Sequence, residues 1–325
     1  MTSFSTLLNP IPQYATASLP ALAIMGESPV ALFSGKFMWL LRCLGSPFTG
    51  LFYSFIIGGR KKDRCIYWLS SNKFKLISKD GTKPKEPIES GDNNEFPEQF
   101  RPFGFYACEI DKDNATYIDE LVNQCTTTIS VLERFSAIVS TYFIIVGTLA
   151  LISQAQGTTN DCKDWPYFPS LLSWTVPATL IRAIYGVVLI KNPDEIVNEH
   201  QITITINDEN RSYKRFTVVV TAFISIIYPW ITLFLIFLKP PIGYGCRSKF
   251  VTIICVIWTL NNILAIISHC KGEKNLKCGI LHIWFSLCGI VVIILLILLG
   301  FLANDNEWWV VLFGESCSTA SIGCM

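Results

Sequence analysis

Four side chains around one short connection have the donor chemistry of a zinc site. In "HCKGEKNLKCGILH", residues 269–282, Cys278 and His282 stand four apart and His269 with Cys270 lies across a short turn. Cys278 and His282 would share one helical face, and the four together would make a Cys2His2 set. The connection lacks a Cys-x2-Cys or His-x3-His pairing at both ends, and reduced thiols beside interfacial histidines account for the same residues, so the metal candidate is weak. Arg182 carries the second chemistry. It lies inside the apolar run Phe168–Ile190, eight residues before its end, roughly 12 Å along a helix. A charge at that depth is a functional hypothesis by default, and Asn261 with Asn262 are its expected partners. A positive, amide-rich pocket without a carboxylate suits an anion or polar solute better than a cation. The plainer alternative satisfies the guanidinium by carbonyls or by snorkelling and uses the asparagines as interhelical hydrogen-bond donors and acceptors.

The third feature is "KPPIGYGCRSK", residues 239–249, which contains the Gly-Tyr-Gly triplet of a potassium-selective filter. A filter needs a five-residue loop of carbonyls, following a pore helix and arranged about a symmetry axis. Here Pro240 and Pro241 stand directly before "IGYG" in an 11-residue connection that has no room for such a helix. The prolines end the preceding helix, and Gly243 and Gly245 let the chain reverse. "PPIGYGCRS" resembles a stretch found in fungal multi-pass membrane proteins of unassigned activity; it covers about ten residues and implies membrane insertion with no particular chemistry.

The elements that must position these residues follow from composition. Of 325 residues, 51% are apolar and 16% charged, with mean hydropathy +0.42 and net charge +1. That excludes an ordinary soluble domain and the basic footprint of a nucleic-acid binder. Five runs are long enough to cross a bilayer and hold no Asp, Glu or Lys: Phe135–Ser153, Phe168–Ile190, Phe216–Leu238, Phe250–Ser268 and Gly279–Ala303. A sixth, Phe37–Gly59, carries Arg42, Pro47 and Gly50 and is expected to span or to lie in the interface. The fold class read from this is an all-α transmembrane bundle of five to six spans with a small cytosolic β-containing segment. Its parts are an exterior segment 1–36, a first span 37–59, a cytosolic region 60–134, a five-span bundle 135–303 and an exterior tail 304–325.

Sidedness follows from Lys and Arg. The connection 60–134 holds 12 of the 26, beginning with "RKKDR", and places that face in the cytosol. Both termini are then exterior if six segments span; if the first does not, the N-terminus moves inside. Cys162, Cys246, Cys317 and Cys324 fall on the exterior, where disulfides persist. Cys162–Cys246 and Cys317–Cys324 are the candidate bridges, with free thiols throughout as the alternative. The sequons at Asn114 and Asn210 fall on the cytosolic side and are expected to stay unglycosylated. The lysines of 269–278 face anionic inner-leaflet lipids.

In the cytosolic region, residues 65–81 read as a hairpin. Ile118, Leu121, Val122, Cys125, Ile129 and Leu132 read as an amphipathic helix opened by a Thr116–Asp119 capping box. Ile202, Ile204 and Ile206 alternate as a strand expected to pair with the hairpin near Ile66 and Phe74. No GxxxxGK, GxSxG or HExxH motif is present, and no cofactor is implied. The function expected is a non-catalytic membrane sensor or scaffold binding a cytosolic protein partner; a conduit for a small anionic or polar solute is second and a membrane enzyme third.

Overall fold

The computed structural model describes residues 20–57, 61, 76–78, 109–110, 115–157, 167–192, 202–205, 211–239, 244–271, 278–302 and 311. Four helices within these are long and apolar enough to cross a membrane: Val131–Ala155, Phe216–Leu238, Cys246–Ser268 and Ile280–Leu299. They belong to α4 (Val131–Ala155), α7 (Arg211–Leu238), α8 (Cys246–Lys271) and α9 (Cys278–Leu302). Each contains one of the runs free of Asp, Glu and Lys, or most of it, and in α7 and α8 the run is continuous enough to override an internal Pro229 and the paired Asn261 and Asn262.

The first apolar segment does not cross as one helix. It forms α1 (Phe33–Gly45), breaks at Ser46, resumes as α2 (Pro47–Phe52) and ends in a π-helical turn, Tyr53–Ile57. The halves fold back on one another. The rings of Trp39 and Tyr53 meet at 5.0 Å between centroids, and a Cβ on Gly50 would lie 3.4 Å from Cys43 Cβ. In an unbroken helix positions 14 apart would be separated by roughly 21 Å, so the contacts require a hairpin centred on Ser46–Pro47. Pro47 is the local cause: it has no N–H to give to the preceding turn and suits the first position of a new helix.

The run expected to span as Phe168–Ile190 is also interrupted. It comprises α5 (Tyr167–Leu171), a 3-10 turn (Ser173–Thr175) and α6 (Val176–Tyr185). Pro169 and Pro177 punctuate it, and Gly186 stops α6 in the left-handed region at φ 56°, a conformation open to glycine at little cost. The β-branched residues that follow leave the helix as β4 (Val187–Leu189), which pairs antiparallel with β3 (Thr126–Thr128).

That ribbon corrects a further expectation. The amphipathic helix ends at Cys125 as α3 (Ala115–Cys125), because three consecutive threonines, stiff at χ1, favour the strand. The capping box is not Thr116–Asp119, which lie inside α3, but Ser130–Glu133. Glu133 N–H donates to Ser130 Oγ at 3.3 Å and Ser130 N–H to Glu133 Oε2 at 3.1 Å. Ser130→Ala is expected to destabilise the start of α4 by about 1 kcal/mol, read as a lower midpoint in denaturant; an unchanged midpoint would remove this cap from the account.

The strand at β5 (Ile202–Thr205) is present and central in a three-stranded sheet. It runs parallel to β1 (Leu76–Ser78), with Leu76 opposite Ile202, and antiparallel to β2 (Glu109–Ile110), with Ile110 opposite Ile204. The strand thus joins the segment just after Phe74, while Ile66 and Phe74 themselves lie outside the described residues. The second partner, β2, had no signal in its two residues.

Candidate functional site

The break between α1 and α2 leaves backbone groups that a continuous helix would have paired, Leu44 C=O with Phe48 N–H above all. α8 supplies the substitutes from one face, at positions i, i+3 and i+4. Trp258 Nε1 donates to Leu44 O at 2.6 Å, and Asn261 Nδ2 to Gly45 O at 2.8 Å. Asn262 Oδ1 accepts from Phe48 N–H at 3.0 Å and from Ser46 Oγ at 3.3 Å. All three side chains are buried. Non-helical backbone is tolerated away from water only where protein satisfies it, and here side chains do so group by group.

Asn262 mends a second defect at the same time. Pro229 inside α7 cannot donate to the carbonyl four residues back, Ser225, and Asn262 Nδ2 donates to that oxygen at 2.9 Å. Pro229 O in turn accepts the Cys255 thiol at 3.4 Å. Asn261 Oδ1 accepts Trp284 Nε1 from α9 at 3.0 Å. The two asparagines therefore join α8 to the hairpin, to α7 and to α9, with their amide groups already committed.

α1 and α9 cross against one another at glycines. A Cβ on Gly45 would collide with Phe285 O, and one on Gly289 with Leu41 O. Small residues at such a crossing let backbones approach closely where side-chain burial from lipid provides little driving force.

Arg182 lies elsewhere. In the last turn of α6 it donates from Nη1 to Ala23 O at 3.4 Å and from Nη2 to Glu133 Oε1 at 3.5 Å. Its side chain is 10% exposed and that of Glu133 50%. Gly26 is the other half of the fit, since any Cβ there would occupy the place of the guanidinium. Lys36 sits within electrostatic range of both Arg182 and Glu133. Nearby, Ala31 N–H donates to Asn192 Oδ1 at 3.1 Å. These contacts fasten residues 20–36 across the end of the bundle where α4 begins and α6 stops. The hydrogen-bond partners of Asn261 and Asn262 are all different groups from those of Arg182, so these contacts do not join the three residues expected to form one pocket. The physical reason is that the helix break and the Pro229 defect compete for the amides and hold them.

Of the remaining candidates, Cys246 opens α8 and is disulfide-bonded. Cys43, Cys125, Cys255 and Cys288 are free, so its partner is none of these four; Cys162, Cys317 and Cys324 lie outside the described residues. His282 lies on α9, while the side chains of His269, Cys270 and Cys278 are not among those described. Among the described residues no group of three or more metal-ligating side chains gathers. Pro240, Pro241 and Gly243 likewise fall outside, and Gly245 precedes α8 with open space where a side chain would be.

The residues missed at the sequence level are Trp258, Ser46, Pro229, Glu133 and the glycine pair Gly45–Gly289. A usable signal existed for the first: Trp258, Asn261 and Asn262 form a polar-capable stripe in an otherwise apolar helix, and prolines at 47 and 229 announce backbone groups that need partners. No protein-family model matches the chain, and no curated protein or solved structure matches it either.

Proposed function

We propose that this chain is a non-catalytic multi-pass integral membrane protein, a sensor or scaffold whose cytosolic segments bind a protein partner. The observation that supports this most is the use made of the buried polar groups. Arg182 clamps an N-terminal segment to the end of the bundle, and Asn261 and Asn262 close backbone defects, so the polar groups that a solute path would use are engaged in holding the fold. In this reading the hairpin 33–57 is re-entrant. Both of its open ends return to the side of Arg182 and Glu133, the side that also carries the basic connection 60–134 and is therefore cytosolic. The N-terminus is then inside and the C-terminus exterior. The sheet of β1, β5 and β2 would stand on the same face, available to a partner, alongside anionic inner-leaflet lipids.

The test is a liposome flux screen of small anions and neutral polar solutes, run on the wild type and Arg182→Leu together with thermal unfolding. The expected result is no Arg182-dependent flux and a stability loss of about 1–2 kcal/mol, kept modest because Glu133 is half-exposed. A variant that folds like the wild type but loses a measurable flux would overturn the scaffold reading in favour of a conduit.

A further inference from the structure

We propose that Arg134, resting on Gly186 at the first turn of α4, holds the phosphate of an anionic lipid headgroup. Arg134 is half-buried, and a Cβ on Gly186 would lie 2.6 Å from its Nε and 2.7 Å from its Nη2. The absence of a side chain at 186 is thus what leaves room for the guanidinium. Among the described residues the Arg134 side chain makes no hydrogen bond or ion pair; only its backbone N–H is bonded, to Ser130 O at 3.2 Å. Its neighbouring acid is already committed: Glu133 Oε1 pairs with Arg182 and Oε2 accepts from Ser130. Arg182 and Lys36 add positive charge at the same corner, against Glu133 and the buried Glu27.

The surroundings decide what anion would complete the site. Val131, Leu132 and Phe135 flank Arg134 at 84%, 76% and 61% exposure, and Ile184 and Tyr185 flank Gly186 with exposed side chains. A guanidinium set among outward apolar and aromatic side chains at the start of a spanning helix matches headgroup depth, where Tyr and Phe rings and acyl chains meet phosphate. The planar fork of arginine suits a phosphate diester oxygen pair better than an ammonium would. A soluble phosphate would find the same charge but leave those apolar side chains in water.

The placement at an anionic leaflet rests on the orientation proposed above, and the two are separable. Full-length protein in detergent micelles, which have no sides, is titrated with phosphatidylserine and with phosphatidylcholine, and bound lipid is counted by native mass spectrometry. Arg134→Gln should weaken phosphatidylserine binding about fivefold, the effect of one interfacial cation, with Arg134→Lys between it and the wild type. Lys249→Gln, at the far end of the bundle, should bind like the wild type. Because the Arg134 side chain has no protein partner to lose, Arg134→Gln should unfold at the wild-type temperature. Equal retention by Arg134→Gln, or an equal loss in Lys249→Gln, overturns the site; displacement of the lipid by inorganic phosphate at comparable affinity overturns the lipid assignment in favour of a soluble phosphate. A glycan at Asn114 or Asn210 would overturn the orientation while leaving the micelle result standing.

Discussion

Asn262→Leu is expected to destabilise the protein by about 2–4 kcal/mol, the largest effect of any single polar substitution considered. Leucine fills a similar volume but leaves Phe48 N–H without an acceptor and Ser225 O without a donor, both at a fully buried position. A buried backbone group stripped of its partner costs about 1–3 kcal/mol, whereas an ordinary interhelical hydrogen bond in a membrane contributes less because the unfolded state also finds partners. The difference is that these two carbonyl and amide groups have no helical alternative. The expectation can be checked by a cycle with Pro229→Ala, which restores an N–H to serve Ser225 O within α7. In that background the cost of Asn262→Leu should fall by about 1 kcal/mol, read from unfolding midpoints in mixed micelles. Additive effects would mean that Asn262 does not mend the proline defect.

Gly289→Ala and Gly45→Ala are expected to cost about 2–3 kcal/mol each, as overpacking against atoms that cannot yield. At both positions the added methyl would meet backbone of the opposing helix, Leu41 O in one case and Phe285 O in the other, so no rotamer change relieves the collision. α1 would have to move off α9, loosening the hold of Trp258 and Asn261 on the hairpin break. The matched control is Gly245→Ala, where nothing lies within 4 Å and a change within about 0.5 kcal/mol is expected. Thermal unfolding with retention of a monodisperse elution profile distinguishes the three. A Gly289→Ala variant as stable as the wild type would show that the crossing is looser than drawn.

Of the fold, the long uninterrupted runs were legible because length and apolarity are local properties. Residues 216–238 became part of α7, which ends with the apolar run at Leu238, and the alternation in 202–206 did signal a strand. The interruptions were harder. Pro47 and Pro169 were visible, but whether a proline kinks a crossing helix or turns it back depends on what receives the freed backbone groups, and those receivers lie more than 200 residues away for Leu44 and Phe48. The threonine run 126–128 read as part of a helix because its strand partner, 187–189, was counted within another span.

At the candidate site the residue types were legible and their company was not. Arg182 stood out because a charge in an apolar run is expensive and must be answered. The sequence offered it two asparagines in a run of matching depth. The tertiary structure gave it instead a carbonyl from residue 23 and a carboxylate from residue 133, neither of which lies in any run that hydropathy would pair with it.

By itself, then, the amino-acid order determined where apolar helices form, which face of the chain is basic and which few polar groups are buried and need partners. Only the tertiary structure decided who those partners are. A buried hydrogen-bonding group is satisfied by whichever complementary atom the packing brings within about 3 Å, and that is a property of how helices cross, which no local spacing records.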